Sequence, residues 1–146
     1  MIKALILALI SLVPPDQQGW ATWYGDGNYH GEITATGEKF NPLDQTCASR
    51  TIPLGTSVLV ANDTNYVICE VNDRGPYGAM VDDNWVVMFR RSGYWWTREK
   101  GKLSGQYEKR PGKYRGVMDL SLGTARALYQ TNDRPPNGYI RIYHLE

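Results

Sequence analysis

The sequence predicts a small all-β barrel, on three observations: many short β-forming runs, turn residues between them, and a single amphipathic helix. At 146 residues the chain is one domain's worth of material and can bury a real core. Repeated β–α–β units are excluded, since only one segment carries convincing helical spacing.

The elements follow in order. Met1-Ile2-Lys3 is a short basic start, and an apolar stretch from Ala4 to Val13 runs into Pro14-Pro15. A helix of that length rises about 15 Å, half of a bilayer core, which argues against a membrane span. Residues 1–19 therefore read as a signal peptide, or as a short N-terminal anchor if uncleaved, because no small-x-small site follows Val13. Trp20-Ala21-Thr22-Trp23-Tyr24 alternates as a strand does, and Gly25-Asp26-Gly27-Asn28 ends it. Ser57 to Ala61 and Tyr66 to Val71 flank Asn62-Asp63-Thr64-Asn65, the pattern of a hairpin with a four-residue loop. Pro53-Leu54-Gly55 and Gly75-Pro76 are turn punctuation abutting strand patterns. Ser121 stands where a helix N-cap belongs, and Leu122, Ala125 and Leu128-Tyr129 mark one helical face. The last strand runs from about Tyr139 to His144, with Ile140 and Ile142 on one face and Arg141 and Tyr143 on the other.

Residues 78–116 break this rhythm and read as a long inserted loop. Nine Lys and Arg stand there against four Asp and Glu, interleaved with Trp85, Phe89, Tyr94, Trp95, Trp96, Tyr107 and Tyr114. A connection this long in a compact domain is functional or disordered. Its seven aromatics favour packing against something over full disorder.

Composition narrows the partners. Sixteen Lys and Arg against 15 Asp and Glu leave no field that demands nucleic acid or an acidic membrane. Ten Tyr and 5 Trp against 2 Phe give mostly rings with a polar handle, which suit wet surfaces and stack well on sugar rings. Core filling is the plainer reading, but it explains the run Tyr94-Trp95-Trp96 poorly. Cys47 and Cys69 are either two buried thiols or a disulfide. In an oxidising compartment the bond would close a loop of about 22 residues and add roughly 3 kcal/mol. The disulfide is favoured, since both lie in predicted strands and a free thiol outside the cell is a liability. His30 and His144 have no partner at metal-ligand spacing, so neither metal nor cofactor is expected.

Six motifs occur in order: Ala21-Thr22-Trp23-Tyr24-Gly25, His30-Gly31, Thr34 to Phe40, Arg50 to Thr56, Val71-Asn72-Asp73-Arg74-Gly75-Pro76 and Met118-Asp119-Leu120-Ser121. Together they resemble the RlpA-like family of peptidoglycan lytic transglycosylases over residues 20–146, apart from the insert. The resemblance implies a six-stranded double-psi β-barrel, shared more distantly with expansins and with the MltA type of lytic transglycosylase. It also implies a substrate, the glycan strands of peptidoglycan, and an exported location: periplasmic, wall-associated or secreted. No nucleic-acid partner is implied, contact with a membrane is expected only through the first residues, and the chain is expected to be a monomer.

The chemistry such a barrel would perform needs a proton donor beside the bridging oxygen. A hydrolase needs a second carboxylate for water or attack. A lytic transglycosylase manages with one, because the muramic 6-hydroxyl attacks internally and the same carboxylate then serves as base. Three acids fall in the family motifs: Asp73, Asp119 and Glu38. Asp73 follows a strand ending at a Gly-Pro corner, and its neighbour Arg74 points to the opposite face if the strand is regular. Asp119 corresponds to the acid position of expansin-like and MltA-like barrels; capping the following helix is its plainer role. For Glu38 the plainer role is that of a solvated loop acid. Tyr24, His30, Thr34, Asn41, Ser49, Arg74, Trp95 and Trp96 are the expected substrate-binding residues. Two of these depart from the family pattern, with Ser49 where His is usual and Asn41 where Asp is often found. A serine cannot shuttle a proton near neutral pH as imidazole does. Two other readings therefore stand beside the transglycosylase: a non-catalytic, expansin-like wall-loosening module, and an inverting hydrolase pairing Asp73 with Asp119. The insert is expected to wall the groove between them with aromatic and basic groups.

Overall fold

A computed structural model describes residues 1–145 except 27–32, 82–83, 100–101 and 110–115, and only the backbone path at 79–81 and 84–85. Six strands close into a barrel in the order β1 (Gln17–Tyr24), β10 (Gly138–His144), β3 (Ser57–Ala61), β4 (Tyr66–Asp73), β2 (Thr46–Ala48) and β9 (Gly116–Ser121). One face of each strand fills the interior. Val58, Val60, Val67, Val71, Met118, Leu120, Ile140 and Ile142 are all below a tenth exposed and form one cluster with Ala125 and Leu128. Each fully buried aliphatic side chain contributes about 1.5–3 kcal/mol through burial. The alternation expected for the last strand is therefore present, with Ile140 and Ile142 pointing inward.

Helix α1 (Ile2–Ile10) precedes the barrel, so two helices rather than one accompany the strands. Among the described residues no helix is long and apolar enough to cross a membrane. Ile10 packs against Leu59, Ala61 and Tyr143, and the Tyr143 hydroxyl donates to the Ile10 carbonyl at 3.1 Å. This explains why β3 is buried on both faces after Ser57. Strand β1 starts earlier than the sequence indicates: Gln17, Gln18 and Gly19 pair with Ile142, Arg141 and Ile140. Those three residues, read from sequence as part of the leader, are barrel wall. Gly19 has no room for a side chain, since a Cβ there would meet Val117 at 2.6 Å.

The Cys47–Cys69 disulfide joins β2 to β4 inside the barrel, both cysteines being buried. On the loop-closure scale a bridge across 22 residues adds about 3 kcal/mol. The hairpin loop Asn62–Asn65 is built as expected, with the Asn62 side chain accepting from the N–H groups of Thr64 and Asn65. Helix α2 (Leu122–Tyr129) starts on Ser121, whose Oγ accepts from Thr124 N–H at 3.1 Å. Its other end rests on a residue the sequence did not single out. Asn65, 1% exposed, donates from Nδ2 to the carbonyls of Ala127 and Leu128, each at 2.9 Å. Those carbonyls belong to the last turn, which has no intrahelical partners of its own.

Residues Tyr77–Gly116 form a second compact unit, apart from the unit of Met1–Pro76 with Val117–Glu146. The long-loop expectation is corrected here. The insert is a four-stranded antiparallel sheet in the order β5 (Gly78–Val81), β6 (Asn84–Arg91), β7 (Tyr94–Glu99) and β8 (Lys102–Tyr107). Ser92 and Gly93 make the β6–β7 turn with φ of 52° and 82°. Such a two-residue hairpin needs two left-handed residues in succession, so the strands are joined by the tightest connection available.

Replacing Asn65 by Ala is expected to leave two buried carbonyls unpaired and to lower unfolding stability by about 1–3 kcal/mol. A urea titration followed by circular dichroism reads this directly. An unchanged midpoint would show that water replaces the amide without loss.

Candidate active site

The site is built on a row that crosses three neighbouring strands. In the barrel β2 lies between β4 and β9. Ala48 on β2 is the register partner of Asp73 on one side and of Asp119 on the other. Adjacent strands are about 4.8 Å apart, so the two aspartates stand roughly 10 Å apart at their Cα atoms, with only a methyl group between them. Alternation in β9 sends Met118 and Leu120 into the core, which turns Asp119 to the outer face of the wall. Regular alternation in β4 would send Asp73 inward, as it does Cys69 and Val71. A bulge prevents this: pairing shifts between Cys47 and Ala48, from Cys47–Val71 to Ala48–Asp73, and skips Asn72. The extra residue re-aims the next side chain, so Asp73 joins Asp119 on the outer face.

Backbone donors hold Asp73 there. Its Oδ1 accepts from Ala35 N–H at 3.0 Å and from Arg74 N–H at 2.9 Å. The 34–38 loop is pinned over this strand end, with Thr36 N–H donating to the Asn72 carbonyl at 3.2 Å. Arg74 does not pair with Asp73. Its guanidinium donates to the carbonyls of Ser49 at 3.0 Å and Ile52 at 2.6 Å, tying the end of β4 to the turn after β2. Among the described residues the ion pair formed is Arg134–Asp26, and neither site aspartate belongs to one.

Asp119 has the more unusual environment. Burial pushes its carboxyl up to about 7, and the negative charge of Asp73 adds to that rise. A hydrogen bond from Thr22 Oγ1 at 3.1 Å acts in the opposite direction and is outweighed. Asp119 does not cap α2; Ser121 has that role. Tyr24, two residues from Thr22 on the same face of β1, stacks on Phe40 at 4.7 Å with an 8° tilt. Tyr24, Phe40 and Ala48 form a small buried cluster of their own, so the middle residue of the carboxyl row packs with the stacked Tyr24–Phe40 pair. Burial raises the Tyr24 hydroxyl well above the usual phenol range, and the charges of Asp73 and Asp119 raise it further. That hydroxyl is buried and makes no hydrogen bond of standard geometry, although Asp73 interacts with it at longer range.

The remaining expected residues separate. Glu38 is exposed and accepts from Thr36 Oγ1 at 2.8 Å within its own loop. Thr34 is buried and bonds Thr36 Oγ1 at 2.8 Å. Asn41 closes a local turn, its Oδ1 accepting from Leu43 N–H at 3.1 Å. Ser49 is 1% exposed, and its Oγ accepts from Thr51 and Ile52 N–H at 3.2 and 3.0 Å. That occupation leaves Ser49 a turn-holding residue where a substrate contact was expected. His30 lies outside the described residues. Trp95 and Trp96 cannot share one ligand, because neighbours on β7 face opposite ways; Trp95 packs on Val86 and Met88. Thr22 and Ala48, which the sequence reading passed over, belong to the site. Thr22 carried a signal, being two residues before Tyr24 on an alternating strand. Among the described residues no cluster of His, Cys, Asp or Glu could hold a metal ion.

A carboxyl raised from 3.8 to about 7 binds its proton more tightly in the folded state than in the unfolded one. Stability is then expected to fall as pH rises from about 4 to about 7 and to level off above that. Asp119→Asn removes this decline and is expected to stabilise the protein above pH 7 by up to about 4 kcal/mol, with little difference near pH 4. Denaturant titrations at several pH values check the sign. A variant gain independent of pH would refute the assignment.

The lytic transglycolase family matches residues 16–142. The chain is 48% identical over 68 residues to a Synechocystis protein named a probable endolytic peptidoglycan transglycosylase RlpA, covering 44% of this chain and 21% of that one. It is 48% identical over 65 residues to the endolytic peptidoglycan transglycosylase RlpA of Rickettsia bellii, covering 42% and 29% respectively. The matched segments thus span less than a third of the relatives' own length. Among solved structures, the Streptomyces papain inhibitor is similar at a TM-score of 0.46 and 15% identity, covering 90% of this chain and 98% of that one. With a closed six-stranded barrel and a family match spanning almost all of it, the chain belongs to the double-psi β-barrel lytic transglycolase family.

Proposed function

We propose that this chain is an exported enzyme that cleaves peptidoglycan glycan strands by lytic transglycosylation. Asp119 is the general acid and then the base. The single observation behind the reading is a carboxyl held to about 7 on the barrel wall, in the same cross-strand row as a second, negatively charged carboxyl two strands away. At neutral pH Asp119 carries a proton for the bridging oxygen during part of its time. After donation it accepts the proton of the muramic 6-hydroxyl, which closes the 1,6-anhydro ring and needs no activated water. Asp73 has two effects in this scheme. Its charge adds a smaller contribution to the rise that burial gives Asp119, and a carboxylate on the same face can stabilise an oxocarbenium-like charge. The names of the relatives in Synechocystis and Rickettsia bellii support the substrate. Export is supported by the buried disulfide and by the apolar first helix.

One observation favours a second reading, an inverting hydrolase. Carboxylates two strands apart leave room for a water between them, as an inverting mechanism requires. The products decide: anhydro-muramic ends follow from transglycosylation, and reducing ends from hydrolysis. No products at all would leave the non-catalytic, wall-loosening reading in place.

Digestion of purified peptidoglycan with mass spectrometry of the fragments is expected to yield anhydro-muramic ends. The rate is expected to fall as pH rises through about 7, because the acid form of Asp119 is needed. Asp119→Asn is expected to lower turnover by about 10²–10⁴. Asp73→Asn removes a charge that raises Asp119 and is expected to move the alkaline limb to lower pH. Thr22→Val removes a hydrogen bond that lowers it and is expected to move the limb the other way. Shifts of the same sign in both variants would overturn the assignment of Asp119 as the acid.

A further inference from the structure

The inserted sheet has two unlike faces. On one, Val86 and Met88 are 5% and 2% exposed and Thr97 is 2% exposed, with Trp95 packed against the first two. Strand register assigns the other face to Phe89, Arg91, Tyr94, Trp96, Arg98 and Gln106. Here Phe89 and Trp96 are direct cross-strand partners. The Arg98 guanidinium lies over the Phe89 ring at 5.1 Å, and the Trp96 indole N–H donates to the Arg91 carbonyl at 3.1 Å, which fixes the ring. Arg91, Tyr94 and Arg98 are exposed, Tyr94 at 44%. Within the four strands the acid is Glu99, which is exposed and, as the neighbour of Arg98 on β7, points to the opposite face. The open face therefore carries aromatic area and positive charge with no carboxylate among its strand residues.

We propose that this face is a second, non-catalytic binding surface for an anionic glycan strand. A sugar ring stacks on Trp96, beside the Phe89 ring that the Arg98 guanidinium covers, and carboxylates on the strand pair with Arg91 and Arg98. The spacing of the two cations favours a glycan over a nucleic acid. Arg91 and the register partner of Arg98, Val87, are four residues apart on β6, about 14 Å along the backbone, and the Arg98 guanidinium leans over the Phe89 row between them, so the face offers two separate cations and no dense run. A nucleic-acid strand carries a charge roughly every 3.4 Å and calls for a denser run of cations. A glycan with a carboxylate on alternate sugars matches the sparser pair. The identity of the polymer rests on the peptidoglycan reading above, whereas the binding itself does not depend on Asp119 chemistry.

The test uses the full chain carrying Asp119→Asn, so that turnover does not consume the ligand. Binding is measured by co-sedimentation with peptidoglycan sacculi, with chitin as a neutral glycan and with a single-stranded oligonucleotide. The Arg91→Ala/Arg98→Ala double variant is expected to bind sacculi about tenfold more weakly while its weaker binding to chitin changes little. Arg90→Ala removes an exposed charge from the other face and is expected to stay within about twofold of the parent. Trp96→Ala is expected to weaken both glycans, and Trp96→Phe to restore most of the loss, which separates stacking from misfolding. Equal binding by the double variant and the parent would overturn the proposal, as would an equal loss in Arg90→Ala. Tighter binding to the oligonucleotide than to sacculi would overturn it in favour of a nucleic-acid surface. Product analysis with the intact enzyme is independent of these arms, so a failure of the catalytic reading is distinguishable from a failure of this one.

Discussion

Strand β2 is only three residues long, yet the candidate site depends on where it lies. It is the one strand that neighbours both aspartate-bearing strands, and its Ala48 sets the register of each. Three residues of ladder are a weak hold on a strand, and other constraints supplement it. The Cys47–Cys69 bond fixes its middle to β4. Beyond its end, Ser49 closes a turn with its Oγ, and Arg74 clamps the Ser49 and Ile52 carbonyls. Thr124 Oγ1 donates to the Thr46 carbonyl at its start, at 2.9 Å. A one-residue slip of β2 would turn Ala48 and its partners to the wrong faces, so these ties preserve the carboxyl row as much as the barrel.

The electrostatics follow from that placement. Partial burial of a carboxyl disfavours its charge, and for Asp119, half-buried on the outer face of the wall, this is the largest influence. The Thr22 hydroxyl compensates only in part: its hydrogen bond favours the ionised carboxyl, yet a net rise from 3.8 to about 7, corresponding to about 4 kcal/mol, remains with that contribution included. The barrel therefore retains a destabilising group, held in place by the surrounding strands. Stability sacrificed at a site in this way is what a proton donor working near neutral pH requires. Tyr24 fits the same picture: burial and then the charges of Asp73 and Asp119 hold its hydroxyl in the protonated form.

Much of the barrel was legible because its signals are local. Alternation at Ile140 and Ile142, the Asn62–Asn65 turn and the Ser121 cap each need only a few consecutive residues. The pair Asp73 and Asp119 was legible through the motifs that contain them, but their alignment was not. It depends on a bulge that skips Asn72 opposite the Cys47–Ala48 step, and no residue type there announces one. Ser49 stood out as a missing imidazole, while its actual task, accepting two backbone N–H groups, is visible only once the turn is folded. The insert was misread as a loop because its charges and glycines obscured the alternation. A signal was present: Ser92-Gly93 separates two β-rich runs by two residues, the length of a tight hairpin.

The position of the insert explains how the row survives it. β2 runs parallel to β4 and antiparallel to β9, so β4 ends and β9 begins at the same end of the wall. The chain leaves the barrel after Asp73 and re-enters before Asp119 across a gap of two strand spacings, roughly 10 Å. The inserted strands pair with one another in a sheet of their own. Loop-closure entropy also grows only slowly with length, by about 0.6 kcal/mol for each doubling. The register of β9 is set by Cys47–Leu120 and Ala48–Asp119 pairing, not by the length of chain that precedes it. Forty residues of new surface can therefore be added between the two aspartates while the alignment of those aspartates stays under the control of β2.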